Sequence, residues 1–205
     1  MEKVDFRKSL KHLYGATATV SLVEVPPMQF VMVDGEGNPN TAPAYGKAIE
    51  WLYSTSYGMK FASKAQLARD YVVPPLEGLW WADDPAEFIA RRKDNWRWTM
   101  MIMVPDFITG AMFDAAVAKA GEKLGAPPAS LRLATYDEGT SLQVLHVGSY
   151  DDEGPILKLL HEVEMPARGL TFNGQHHEIY LGDPRRVEAA KLKTILRQPV
   201  RPAGP

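Results

Sequence analysis

The sequence predicts an α+β fold built twice from the same parts. Short runs rich in β-branched and aromatic residues alternate with amphipathic stretches, the order strand, strand, helix, strand, strand occurs twice, and a further amphipathic stretch links the copies. Each copy should form a small antiparallel sheet covered by a helix. A seam between two such sheets is a natural ligand site.

Composition narrows the classes. The 205 residues suit one large domain or two small halves. A formal net charge of -2 supplies no field for nucleic acid or an anionic membrane, so neither is an expected partner. There are no cysteines, which excludes disulfides, thiolate metal sites and cysteine nucleophiles. Residues 1–8 lead into no apolar stretch of a signal peptide, and no apolar run approaches the roughly 20 residues that span a bilayer. A soluble cytoplasmic protein, a monomer or weak dimer, is expected.

Residues 1–18 are polar, basic and weakly periodic, and read as an N-terminal arm too short for a DNA-binding module. Thr19 to Val25 and Gln29 to Val33 read as strands around Pro26-Pro27, followed by a loop at residues 34–40. Ala44, Ala48, Ile49, Leu52, Tyr53 and Ser56 give Pro43 to about Lys64 a helical period. Tyr71 to Trp81 holds short strands, a short helix is expected from Pro85, and Arg97 to Val104 is a strand. The first half therefore covers about 19–105.

The linking helix runs from Gly110 to about Leu124 and is stopped by Gly125 and Pro127-Pro128. Leu131 to Tyr136 and Ser141 to Val147 flank Asp137-Glu138-Gly139-Thr140, a hairpin signal. Acidic Asp151-Asp152-Glu153 precede a third helix, about Pro155 to Arg168, in keeping with the helix dipole. A strand at His176 to Leu181 and another at Lys193 to Val200 complete a second half of about 130–200, with 201–205 as a tail.

The strand His176-His177-Glu178-Ile179-Tyr180-Leu181 carries the most chemistry. Alternation puts His176, Glu178 and Tyr180 on one face and His177, Ile179 and Leu181 on the other. A carboxylate between an imidazole and a phenol suits a cationic or polarised small molecule, or acid/base chemistry. Adjacent histidines face opposite ways, so no metal site is expected, and no cofactor is implied. Pairing the halves by pattern makes Glu77, in Pro75-Leu76-Glu77-Gly78-Leu79-Trp80, the counterpart of Glu178.

The order of Val-Pro-Pro, Gly-Glu-Gly-Asn-Pro-Asn, Tyr-Gly-Lys-Ala-Ile-Glu-Trp-Leu-Tyr, Pro-Leu-Glu-Gly-Leu-Trp-Trp, Glu-Gly-Thr-Ser-Leu-Gln-Val-Leu-His-Val-Gly-Ser-Tyr and His-His-Glu-Ile-Tyr-Leu-Gly-Asp-Pro-Arg-Arg resembles the GyrI-like small-molecule-binding domain. The likeness runs from about Leu13 to Pro199 and fits the family's stand-alone subgroup, some members of which are similar to cyclopropanoid cyclopropyl hydrolases. It implies a single domain over 19–200 with a duplicated βαββ (SHS2-type) fold, shared with multidrug-sensor effector domains. It also implies a seam for flat, often cationic xenobiotics, with Glu178 as the buried glutamate and Tyr180 as its tyrosine neighbour.

Candidate ligand-binding residues are then Glu178, Tyr180, Glu77, Trp80, Trp81, Trp98, Phe30, Tyr150 and His176. Trp80 and Trp81 must point to opposite faces of a regular strand, so only one can face a ligand there. If the chain is a hydrolase of activated cyclopropanes, Glu178 and Tyr180 are the catalytic pair. The alternative is a protein-interaction module acting on a partner such as DNA gyrase.

Overall fold

In the computed structural model, residues 3–84 and 91–204 are described; the helix expected from Pro85 falls largely outside them. In chain order the strands are β1 (Lys3–Val4), β2 (Ser21–Val25), β3 (Met28–Glu36), β4 (Asp70–Tyr71), β5 (Leu76–Trp81), β6 (Arg97–Met103), β7 (Arg132–Tyr136), β8 (Gly139–Val147), β9 (Leu170–Phe172), β10 (His176–Tyr180) and β11 (Lys193–Pro202). The chain forms two compact units, Met1–Ser9 with Met28–Tyr136 and Leu10–Pro27 with Asp137–Pro205. No described helix is long and apolar enough to cross a membrane.

The first unit carries an antiparallel sheet in which β6 pairs with β5 and β3, and β3 pairs on its far side with β7. The helix Pro43–Leu67 begins on a proline, which lacks the N–H that a first turn leaves unused. It buries Ala48, Trp51, Leu52, Thr55, Ser56, Met59, Lys60 and Ser63, a stripe at three- and four-residue steps. A Cβ on Gly58 would meet Ala116 of the helix Gly110–Leu124 at 3.0 Å, so the small residue lets these two helices approach closely. Thr109 caps the second of them by accepting from the Met112 N–H. Lys60 pairs with Asp70 at the start of β4, beside which β1 lies in parallel.

Trp98 faces Gly35 across the β3–β6 ladder, and a Cβ on Gly35 would run into the indole ring. Gly35→Ala is therefore expected to cost about 1–3 kcal/mol of stability through overpacking. Urea unfolding of the two proteins checks this.

The second unit repeats the plan. β11 pairs with β10 and β8, and β8 pairs on its far side with β2. β9 adds to the end of β11. Each unit is thus a βαββ motif, β3-helix-β5-β6 or β8-helix-β10-β11, with one extra strand beside its first strand. That extra strand differs from the sequence expectation. Residues 137–140 close no hairpin, because β7 pairs with β3 and β8 with β2. Gly139 takes a left-handed φ of +71°, and here the chain passes from one unit to the other. The N-terminal segment also does more than an arm would, since Leu13 and Tyr14 are buried in the second unit.

The second unit's helical segment starts at Gly154–Lys158 and ends at Met165–Ala167, with a widened π turn, Leu159–Glu164, between. Pro166 explains the widening. It has no N–H for the carbonyl four residues back, and its ring crowds that carbonyl. The Met165 N–H accordingly bonds the Leu160 carbonyl, five residues back. Leu160 and Met165 pack with Leu142, Val144, Leu196 and Val200 of the sheet as the unit's apolar core.

Candidate functional site: the His176–Tyr180 strand

The front face of β10 carries a chain of polar groups. The Tyr180 hydroxyl donates to Glu178 Oε2 at 2.7 Å. His176 Nε2 lies 3.3 Å from Glu178 Oε1, with side-chain exposures of 3% for His176 and 12% for Glu178. Both carboxylate oxygens therefore have partners, one on each side along the strand, as alternation predicts. Glu178 stands opposite Leu196, and Leu196 opposite Val144, so this is the face that the helical segment covers. Tyr150 meets Tyr180 edge to face at 5.6 Å between ring centroids. Missing from the sequence expectation was His161, on the π turn, whose ring stands 6.2 Å from that of His176 and 5.1 Å from that of Phe172. An apolar stripe at Ile156, Leu160 and Val163 gives no signal for it.

The back face holds a second polar system, also missed. His177 is fully buried, and its Nδ1 lies 3.0 and 3.1 Å from the two oxygens of Glu138. Arg197 Nη1 donates to Glu138 Oε2 at 3.2 Å. Its Nε and Nη2 donate to Gln143 Oε1, and Nη2 also donates to the Leu13 carbonyl at 2.7 Å. Gln143 in turn donates to the His12 carbonyl. His177, Arg197 and Gln143 are direct cross-strand neighbours on three adjacent strands. Ladder register thus lines up His177, Arg197 and Gln143, and the segment just before β8 brings the counter-ion Glu138 to them in a dry interior.

Two titrations tie these groups to stability. Burial opposes ionisation of Glu138, but the charges and hydrogen bonds of His177 and Arg197 outweigh it and hold the carboxyl at about 2. Burial, and then the neighbouring His176, lower His161 to about 4 against a hydrogen bond that the ring donates to the Gln198 side-chain carbonyl. Both groups bind protons more readily in the unfolded chain. The His161 contribution is therefore present above about pH 6.5 and is lost as pH falls to about 4; that of Glu138 is lost between about 4.5 and 2. His161→Phe should flatten the upper part of the acid limb, worth about 3 kcal/mol, and leave the lower part. Denaturant melts from pH 7 to 3 read both.

In the first unit, Trp80 and Trp98 are direct neighbours on β5 and β6, and Tyr45 of the helix Pro43–Leu67 lies 6.1 and 5.3 Å from their rings. This is the helix-covered face. Glu77 stands opposite Met101, on the other face, although it is fully buried. Glu77 and Glu178 therefore do not occupy matching positions: Gly78, not Glu77, shares the helix side with Trp80. A pattern alignment shifted by one residue exchanges faces. Trp81 also points away from the helix, into an open cleft with Asp34, Glu36, Arg97 and Arg132. Phe30 is buried at 1% exposure and meets Tyr136 edge to face, which makes it a packing residue of its own unit.

Comparison with known proteins agrees with the geometry. The GyrI-like small-molecule-binding domain model matches residues 18–201. An uncharacterized conserved protein from Listeria innocua is 37% identical, with a TM-score of 0.88 over 97% of this chain and 100% of that one. A structure described as a hydrolase from Listeria innocua is 36% identical, with a TM-score of 0.84 over 97% of this chain and 100% of that one. The EcmrR C-terminal domain, at 14% identity and a TM-score of 0.57 over 90% of this chain and 98% of that one, shares the fold. No match was found among curated proteins. The match over residues 18–201, with 36–37% identity to the two Listeria innocua proteins over nearly the whole chain, places the chain in the GyrI-like small-molecule-binding domain family.

Proposed function

We propose that the front face of β10 binds a flat, hydrophobic, positively charged small molecule of the xenobiotic kind. The observation that carries this reading is the Tyr180–Glu178–His176 chain. A carboxylate held between two partners at low exposure is a preorganised counter-charge, and it loses little freedom when a cation arrives. The Tyr180 and Tyr150 rings add cation–π and stacking energy of about 0.5–2 kcal/mol per contact.

A second reaction-based reading draws on the 36% identical Listeria protein described as a hydrolase. Glu178 takes a proton from water as the water oxygen bonds to a strained cyclopropane carbon. The ring C–C bond breaks, and its electron pair moves onto the conjugated carbonyl oxygen. Tyr180 turns its O–H from Glu178 to that oxygen and stabilises the charge that grows there. A thermal-shift screen of planar cations and activated cyclopropanes, with product analysis of each hit, tests both readings. Cations should raise the melting temperature, and the cyclopropanes should be consumed. Stabilisation without product limits the role to binding, and no stabilisation by any cation sinks the proposal.

A further inference from the structure

His161 is a half-buried titratable group for which neither reading above has a use. Its Nε2 is buried and makes no well-formed hydrogen bond, although Gln198 lies close enough to perturb the ring. An orphaned buried polar atom in a native protein calls for an occupant. Its place on the π turn is the second observation. Such turns are costly and recur at functional sites, and here the turn aims the imidazole at His176, the residue joined to Glu178.

The surroundings define what His161 can offer. Facing it are His176 on β10, Phe172 on β9 and Gln198 on β11. The charged groups of its own helical segment are engaged elsewhere, Lys158 with Glu162 and Arg168 with Glu164. With no carboxylate of the described residues acting on it, the ring stays neutral at physiological pH. A neutral imidazole beside a cation site adds a lone pair without adding repulsion.

We infer that His161 is a further ligand-contacting residue of the β10 site, and that its Nε2 accepts a hydrogen bond from the bound molecule. The ligand class is then narrower than aromatic cations in general: it is those that carry N–H or O–H donors at their edge. This rests on the reading of the β10 face as a ligand site.

The test compares proflavine, a planar cation with free amino groups, with acridine orange, in which the same amino nitrogens are methylated. The wild-type protein should prefer proflavine by roughly three- to tenfold, the usual worth of one hydrogen bond. His161→Phe, which keeps a flat ring but no acceptor, should erase the preference while still binding both dyes. His161→Gln, which restores an acceptor, should recover part of it. Equal binding of the dyes by the wild-type protein, or an unchanged preference in His161→Phe, overturns the inference. Glu178→Gln separates the two levels. If it binds both dyes as tightly as the wild type, the β10 reading itself falls, and the His161 inference with it.

Discussion

Replacing Arg197 with methionine is expected to remove about 3–5 kcal/mol of stability, the toll of breaking a buried charge network from one side. Arg197 is 1% exposed and serves three acceptors: Glu138, Gln143 and the Leu13 carbonyl. Methionine fills much of the volume but donates nothing. Glu138 is left in the interior with the His177 imidazole against it, and the Leu13 carbonyl loses a 2.7 Å bond. Arg197→Lys should rescue little, because one ammonium cannot reproduce the planar fork that reaches acceptors on different elements. The cost should also be insensitive to salt, since the network is out of reach of screening ions. Urea unfolding at low and high salt measures all three expectations. A loss under about 1 kcal/mol would show that the network is replaceable packing.

Much of this architecture is legible in the residues, and the exceptions have physical causes. The helix Gly110–Leu124 ends where Gly125 and the prolines beyond it dictate. The faces of β10 follow from alternation alone: His176, Glu178 and Tyr180 do share a side. Turn chemistry, by contrast, is local. Asp137-Glu138-Gly139 signals a reversal but not which strands pair on either side of it. Glu138 lies inside that signal and nothing local marks it, yet it is the buried centre of a network whose members come from residues 12 to 197. Partners so distant in sequence are set by ladder register, which composition does not encode. The Glu77 pairing failed for a related reason, since a period of two leaves no margin for a one-residue shift. His161 needed the π turn, and the helix expected over Pro155 to Arg168 ran through Pro166 as a regular one, without the widening.

Glu178→Gln has the largest expected effect on binding and tests the central claim most directly. The substitution keeps the shape of the side chain and a carbonyl oxygen for Tyr180, and removes only the charge. Calorimetric titration should compare the wild-type and variant proteins with proflavine and with acridone, a neutral tricycle of similar outline. If Glu178 is the counter-charge of a cation site, proflavine affinity falls by roughly 10- to 100-fold, the worth of a charge-assisted contact, and acridone affinity stays within about twofold. Equal losses for both compounds, or no loss for proflavine, would contradict the account.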